Sequence, residues 1–396
     1  MPSPSAEMTR VDRGRRVKVM HWPVDPGPYQ HQLAVELERL GVESTFVVEP
    51  TRSQTLNVAL LPLWLAIGRA QGASVLNIHW LFRYHLAWAR GPRRQRLLLA
   101  HLHLVLASAR ALGLTVVWTA HNVVPHQPIF HDDETARRLL VRWCALVLAH
   151  DAATAAELQA RFDARRISVI PQGATPPAGQ PRTEARGALG VTDQDLVLAI
   201  AGRIAPYKGV DLALEAIAAA LEADPMTEGT LVVVVAGAPD SPATADAVTR
   251  AAEAVRRAGG RVDLELRRVS DAEFGSLLSA ADLALMNFQS VTNSGSIAAA
   301  LAAHCPVLTT DLSSIRSGFG SAVVTADGSR RDLVAKLNEL RDPGRRRSLA
   351  TAAADWAEAH QWSTVAQQTA DAYAEALTYA RQERLSGRSR WRSPTG

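Results

Sequence analysis

The stretch Leu198-Ala-Ile-Ala-Gly-Arg-Ile-Ala-Pro-Tyr-Lys-Gly-Val-Asp-Leu-Ala-Leu-Glu-Ala-Ile217 decides the fold class. Its first residues form a short apolar run that stops at Gly202, and from Val210 onward apolar residues recur at helical spacing. The turn between them carries Arg203 and Lys208, with Pro206 and Gly209 shaping the backbone. A strand, a basic turn and a helix start in that order gather guanidinium, ammonium and free helix N–H groups around one anion. A diphosphate is the natural guest. Taken by itself, the stretch reads equally well as an ordinary strand-to-helix turn with two solvated cations.

The same alternation extends in both directions. Toward the N-terminus, strands are predicted at Val17–Met20, Ser44–Val48, Val75–His79, Thr115–Thr119, Leu146–Ala149 and Ile167–Ile170. Helices are predicted over Tyr29–Leu40, closed by Gly41, and over Leu97–Leu112, closed by Gly113. The segment Gly173–Gly179, rich in Gly and Pro, reads as a linker. Beyond it strands are predicted at Leu196–Ala201, Leu231–Ala236, Val262–Leu266, Leu283–Met286, Val307–Thr309 and Ala322–Val324. The expectation is an α/β protein of two Rossmann-like, doubly wound parallel-sheet domains facing a central cleft.

Composition agrees. A chain of 396 residues, 47% hydrophobic, is long enough for two or three domains with cores of their own. A net charge of +4 is too small to imply nucleic acid, and no nucleic-acid-binding signature accompanies it. Cys144 and Cys305 sit in apolar contexts and read as buried thiols. Residues 1–14 lack an apolar signal core and read as a flexible leader, and the basic residues 382–396 as a disordered tail. The longest apolar run, Val58–Ile67, is too short to span a bilayer and contains Pro62. A cytoplasmic protein is expected. Arg83, Arg93, Arg94 and Arg96, interleaved with Trp80, Phe82 and Tyr84, offer a hypothetical contact with anionic lipid at the inner membrane face, against the commoner reading of a solvated basic helix face.

From about Val17 to Leu377 the chain resembles the GT-B glycosyltransferases, two-domain enzymes that use nucleotide-sugar donors. The resemblance rests on Ile170-Pro-Gln-Gly173, Gly202-Arg-Ile-Ala-Pro-Tyr-Lys-Gly209, Val269-Ser-Asp-Ala-Glu273, Ser279-Ala-Ala-Asp-Leu283, the stretch from Gly295 to Cys305-Pro-Val307, and Trp362-Ser363. Trp118-Thr-Ala-His-Asn-Val-Val-Pro-His126 and Thr292-Asn-Ser-Gly-Ser296 are similar to GT4-like groups and to bacterial mannosyltransferases of exopolysaccharide assembly. The resemblance implies an N-terminal acceptor domain over 15–174, completed by a C-terminal helix at about 362–380, and a donor domain over 181–355. It implies a hexosyl transfer from a nucleotide diphosphate sugar, with GDP-mannose as the first expected donor, to a glycan, lipid-linked or small-molecule acceptor. One departure stands out. Many GT4 enzymes carry an E-x7-E pair where this chain has Val291 and Ala299. Their loss favours inversion over a GT4-like retaining transfer, and it leaves open a non-catalytic nucleotide-sugar-binding subunit. A dehydrogenase is disfavoured by the absence of G-x-G-x-x-G after any predicted strand.

Glycosyl transfer must stabilise a departing diphosphate and, with inversion, deprotonate the acceptor hydroxyl. Arg203 suits bidentate contact with the diphosphate and Lys208 adds a point charge. Asn293, Ser294, Gly295 and Ser296 form a polar turn that opens a helix, suited to phosphate oxygens or to simple N-capping. Together these groups stand in for a metal, so neither cofactor nor metal is expected. The triplet Asp193-Gln-Asp195 reads as a turn. His121, His126 and His131 fit no single helical face and lack a Cys partner, which argues against zinc. His121 follows a strand and is the first candidate base, since a histidine at this place in the resembling family lies near the donor sugar; tying down its own loop through Asn122 is the competing role. Asp25 is the second, in the loop where inverting GT-B enzymes often hold their base, and equally a turn former before Pro26. Asp132 and Asp133 are runners-up for the base, with helix-capping or solvated carboxylates as the commoner reading. His79 and Trp80 are expected on the acceptor side.

Overall fold

The computed structural model describes residues 17–25, 27–81, 84, 92–124 (backbone only at 92–95), 129–130 and 132–386. The chain forms two compact units. One comprises the chain up to His150, Thr154–Ile170 and the chain from Trp362 on; the other comprises Asp151–Ala153 and Pro171–Gln361.

The first unit is built on a six-stranded parallel sheet: β1 (Lys18–Trp22), β2 (Glu43–Phe46), β3 (Val75–Ile78), β4 (Thr115–Ala120), β5 (Leu146–Ala149) and β6 (Ile167–Val169), in the order β2-β1-β3-β4-β5-β6. Side chains alternate across it. Leu76, Ile78, Val116 and Trp118 enter one apolar cluster, while Val75 and Val117 enter another on the opposite face. The central strands are therefore buried on both sides and read as continuous apolar runs. The second face is covered by helices Pro28–Arg39 and Trp362–Leu385, the latter contributing Val365, Ala366 and Tyr373. Asn77, a polar residue on that face, donates to the Tyr373 hydroxyl (2.7 Å) and accepts from Thr119 (3.0 Å), so its burial is matched by hydrogen bonds.

The second unit repeats the plan with β7 (Leu196–Ala201), β8 (Leu231–Ala236), β9 (Arg261–Glu265), β10 (Leu283–Met286), β11 (Val307–Thr310) and β12 (Val324–Ala326). Their order, β12-β11-β10-β7-β8-β9, is the dinucleotide-fold order, with the first strand of the unit flanked by β8 on one side and β10 on the other. Leu196, Leu198 and Ile200 face one cluster, and Val197, Ala199 and Ala201 face the other.

Several expectations are corrected. The long helix begins at Pro92, before Leu97, and the last strand begins at Val324 because Gly320–Ala322 forms a short 3-10 turn. The C-terminal helix continues to Leu385, past the point where a tail was expected; residues 387–396 and the leader 1–14 lie outside the described residues. The Gly- and Pro-rich linker is pinned to the second unit. A Cβ on Gly179 would lie 2.4 Å from the Gly275 carbonyl carbon, and Gln180 N–H donates to Ser276 Oγ (2.9 Å). Tyr84 belongs to the core, with its hydroxyl 2.5 Å from His101 Nδ1, not to a surface aromatic patch. Phe82, Arg83, His126 and His131, and the side chains of Arg93 and Arg94, lie outside the described residues. The Val58–Ile67 run divides between helices Gln54–Ala59 and Leu61–Ala70, burying Val58, Leu61 and Leu65 and exposing Leu63 and Ile67. Among the described residues no helix is long and apolar enough to cross a membrane. Cys144 and Cys305 are free and buried, and burial pushes both thiols up.

Candidate functional site

In open parallel sheets a crevice opens beyond the strand carboxyl ends where the strand order reverses, here between β7 and β10. The loops that follow these two strands are the basic turn and the Asn-Ser-Gly-Ser turn. Gly202, at the end of β7, takes a left-handed conformation (φ 107°), and a Cβ there would lie 3.2 Å from Lys208 Nζ and 3.4 Å from Ser296 Oγ. Backbone, ammonium and hydroxyl thus converge on one small space. Lys208 is half-buried, with its ammonium 5.5 Å from the Phe288 ring centroid. Burial, then the nearby Arg203 guanidinium, brings the ammonium down from 10.5 to about 8. Arg203 is exposed. Among the described residues neither cation has an ion-pair partner, so the pair presents uncompensated positive charge.

The turn is held from below by residues that sequence reading missed. Gly209 (φ 53°) opens the helix Val210–Ala223, and a Cβ there would lie 2.6 Å from the Asn287 carbonyl oxygen. Buried Asn287 donates through Nδ2 to the Gly209 carbonyl (3.2 Å) and accepts from Thr310 Oγ1 (3.3 Å), while Gln289 N–H donates to the Tyr207 carbonyl (2.6 Å). The basic turn is therefore fixed to the end of β10.

Ser294 caps the helix Gly295–Ala302 by accepting from Ile297 N–H (3.2 Å). Asn293 Oδ1 accepts from Ser294 N–H (2.9 Å) and Asn293 Nδ2 donates to Gln172 Oε1 (2.7 Å). Of the four residues expected to face phosphate, Asn293 and Ser294 are thus engaged in shaping the turn, and Gly295 and Ser296 are the ones presented outward. Val291 and Ala299, where E-x7-E would stand, pack against the apolar cluster of this unit.

In the first unit four strands each deliver a histidine at or just beyond their carboxyl ends: His21 on β1, His79 after β3, His121 after β4 and His150 after β5. These strands are consecutive neighbours, so the imidazoles stand in a row. His21 Nδ1 lies 2.9 Å from His79 Nε2, His79 Nδ1 lies 3.2 Å from His121 Nε2, and His121 Nδ1 lies 3.0 Å from His150 Nε2. The row ends with His150 Nδ1, 3.0 Å from the Ile170 carbonyl oxygen. Trp80 stacks on His121 (4.1 Å, 16°), and Tyr29 presents an edge to His79, His121 and His150. Burial, followed by the neighbouring imidazoles, holds His79 and His121 well below 6.5; burial alone brings His21 to about 4. His121 is accordingly bonded at both ring nitrogens. His21 and His150 were not singled out from the sequence, although each ends a predicted strand or its apolar run.

Asp25 is half-buried and closes a tight turn, its Oδ2 accepting from Gly27 N–H (2.9 Å) while its own N–H donates to Gln30 Oε1 (2.8 Å). Asp132 caps the helix Asp133–Trp143, and Asp133 accepts from the N–H groups of Ile129 and Phe130. Asp195 accepts from Thr192 and Thr230 N–H groups, which makes the Asp-Gln-Asp triplet a turn.

Comparisons with known proteins agree with this architecture. The family described as "Glycosyltransferase Family 4" matches residues 27–176, and "Glycosyl transferases group 1" matches residues 195–342. Together with the two sheets, these matches place the chain among the GT-B glycosyltransferases. More particularly, it is similar to proteins named D-inositol 3-phosphate glycosyltransferase: 31% identical to that of Streptomyces bingchenggensis over 50% of this chain and 44% of the relative, and 28% identical to that of Streptomyces scabiei over 76% and 73%. The chain spans about half or less of the length of the former and of several others. Among solved structures it is similar in fold to sucrose-phosphate synthase from Thermosynechococcus elongatus (TM-score 0.69, 15% identity, 92% of this chain and all of that one). It is similarly like Anabaena HepE in complex with UDP (TM-score 0.64, 16% identity, 91% and 99%).

Proposed function

We propose that the protein transfers a hexosyl group from a nucleotide diphosphate sugar to a hydroxyl of a small or lipid-linked acceptor, without a metal. The observation that carries the reading is the convergence of Gly202, Lys208 and Ser296 at the switch point of the second sheet, near Arg203, with neither cation in an ion pair among the described residues. Such a site fits a diphosphate and supplies the charge that a leaving diphosphate needs. Arg203 adds a bidentate contact and the backbone at Gly295 and Ser296 adds helix-start N–H groups. UDP in a solved neighbour supports a uridine nucleotide over the GDP-mannose first expected, and the inositol phosphate in the names of the relatives supports a phosphorylated polyol acceptor over an exopolysaccharide.

With Val291 and Ala299 in place of two glutamates, inversion is the favoured outcome, and it requires a base. Asp25, through its second carboxylate oxygen, and His121, through the histidine row, are the groups assigned to receive the proton, with His79 and Trp80 on the acceptor side. A peripheral contact with anionic lipid through Arg83–Arg96 belongs to the same proposal; co-sedimentation with anionic liposomes no greater than in their absence removes it.

The test is calorimetric binding of UDP, GDP, ADP and TDP without added metal, followed by transfer from the matching sugar nucleotide to inositol 3-phosphate and assignment of the product anomer. Tight binding of one diphosphate and metal-free turnover are expected. Binding without any turnover would favour a non-catalytic subunit, and failure of every diphosphate to bind would remove the reading altogether.

A further inference from the structure

The histidine row has a direction, and one atom sets it. The Ile170 carbonyl only accepts, so the proton of His150 lies on Nδ1 and its Nε2 carries the lone pair. That Nε2 must accept from His121 Nδ1, whose Nε2 accepts from His79 Nδ1, whose Nε2 accepts from His21 Nδ1. All four rings are thereby fixed as neutral Nδ1–H tautomers, the reverse of what an isolated imidazole favours. The lone pair left over falls on His21 Nε2, which is buried without a hydrogen-bond partner. The rings are 0–7% exposed, so solvent does not interrupt the line.

We propose that His21, His79, His121 and His150 form a one-proton relay whose polarity is set by the Ile170 carbonyl. A proton bound at His21 Nε2 releases His21 Nδ1–H to His79 Nε2, His79 Nδ1–H passes to His121 Nε2, and His121 Nδ1–H passes to His150 Nε2. Three N–H bonds break and four form, one of them to the entering proton, and His150 is left as the imidazolium, still donating to Ile170. Return of the proton reverses every step. This rests on the transferase reading and deepens it: His121, bonded at both ring nitrogens, does not act as a lone base. A proton from the acceptor hydroxyl enters the row at His21 Nε2, the one lone pair left open, and passes through His121 on its way to His150. His21, His79 and His150 are positioning residues for that role. The groups packed on the row are Tyr29, Trp80 and Phe46, with Asp151 next in the chain after His150.

The test uses the full chain with histidines carrying the heavy nitrogen isotope and long-range proton–nitrogen correlation near neutral pH. Neutral Nδ1–H patterns at the four sites are expected; an Nε2–H pattern or an imidazolium at His79 or His121 overturns the proposal. His150→Leu removes the anchor and is expected to reverse the tautomers of His79 and His121, whereas His150→Gln keeps an acceptor and preserves them. Transfer is expected to fall by about a hundredfold in His150→Leu and in His150→Gln alike, with an altered pH profile and unchanged diphosphate affinity, because Gln orients the row but cannot take up its proton. Recovery in His150→Gln would leave His150 an orienting role alone and overturn the relay. An unchanged rate and pH profile in His150→Leu overturns the relay. If that variant does not fold, the unsubstituted spectrum decides. Absence of diphosphate binding beside the expected tautomers would remove the transferase reading and leave the proton line standing.

Discussion

Lys208 offers a direct measure of whether the turn after β7 binds diphosphate. Its ammonium lies close to Gly202, and burial followed by the nearby Arg203 guanidinium brings it from 10.5 to about 8. Both causes disfavour charge, and the attraction of an anion bound beside the ammonium offsets them. The anion therefore binds the protonated form and pulls a proton onto Lys208 when the solution is above that value. Between pH 7 and pH 9 the protonated fraction falls from about nine-tenths to about one-tenth, so Kd for UDP is expected to rise about tenfold, equivalent to about 1.4 kcal/mol. The β-phosphate, already largely ionised at pH 7, gains slightly more charge over this range and works in the opposite direction, so it does not imitate the effect. Isothermal calorimetry in buffers of different ionisation heat would read both the weakening and the proton taken up at pH 9. Lys208→Arg keeps its charge throughout and is expected to lose the pH dependence; Lys208→Met is expected to bind weakly at both values. A flat Kd in the unsubstituted protein would refute the placement of the ammonium against the diphosphate.

Other outcomes follow from the same geometry. Arg203→Ala is expected to weaken UDP binding by about 1.5–3 kcal/mol, the range for a hydrogen bond to a charged group, while leaving the thermal midpoint within error because the side chain is exposed; unchanged affinity would remove Arg203 from the site. Gly209→Ala combines a left-handed backbone with a Cβ 2.6 Å from a carbonyl oxygen, so a loss of about 2 kcal/mol or more and a lowered melting midpoint are expected. A midpoint equal to that of the unsubstituted protein would refute it. The buried histidines predict acid sensitivity with a definite sign. His21 stays neutral in the fold down to about 4 while the unfolded chain protonates near 6.5, so stability is complete above 6.5 and is lost as pH falls toward 4. The contribution of His21 over that window is about 3 kcal/mol. Urea midpoints at pH 7 and pH 4.5 measure it, and a His21→Phe variant should show a shallower fall; equal slopes would count against the assigned burial.

Local signals sufficed wherever a pattern and its partner lay close in the chain. The runs Leu196–Ala201, Leu231–Ala236 and Leu283–Met286 are legible because strands buried on both faces need unbroken apolar sequence, and Gly202 and Gly209 mark where the backbone must turn left-handed. The place of Arg203 and Lys208 in a turn between strand and helix was legible for the same reason, since the three are contiguous. Asn287 was not, because its role is to hold Gly209, and the two are brought together only when β10 pairs with β7. The histidine row was hidden by the same cause. Met20-His21, Ile78-His79, Ala120-His121 and Ala149-His150 share a position at strand ends, and that shared position was the available signal. Spacing along the chain says nothing about adjacency across the sheet, which depends on the order β1-β3-β4-β5. Gly179 misled in the opposite direction: its composition fits a free linker, yet it serves close contact with the Gly275 backbone.

The apolar packing of Val291 and Ala299 has an evolutionary consequence. In sequence space this chain and one bearing glutamates at those places are two substitutions apart, but the intermediates are not equivalent to either end. A carboxylate introduced at either position would meet the edge of the cluster that holds Ile297, Leu301 and Phe288 on one side and solvent on the other, because both residues are only partly buried. Each single change exchanges apolar contact for a charge that water still reaches, a smaller cost than that of a charge sealed in a core. The two acids are therefore a short walk away, and this place in the fold is open to exchange between hydrocarbon and carboxylate.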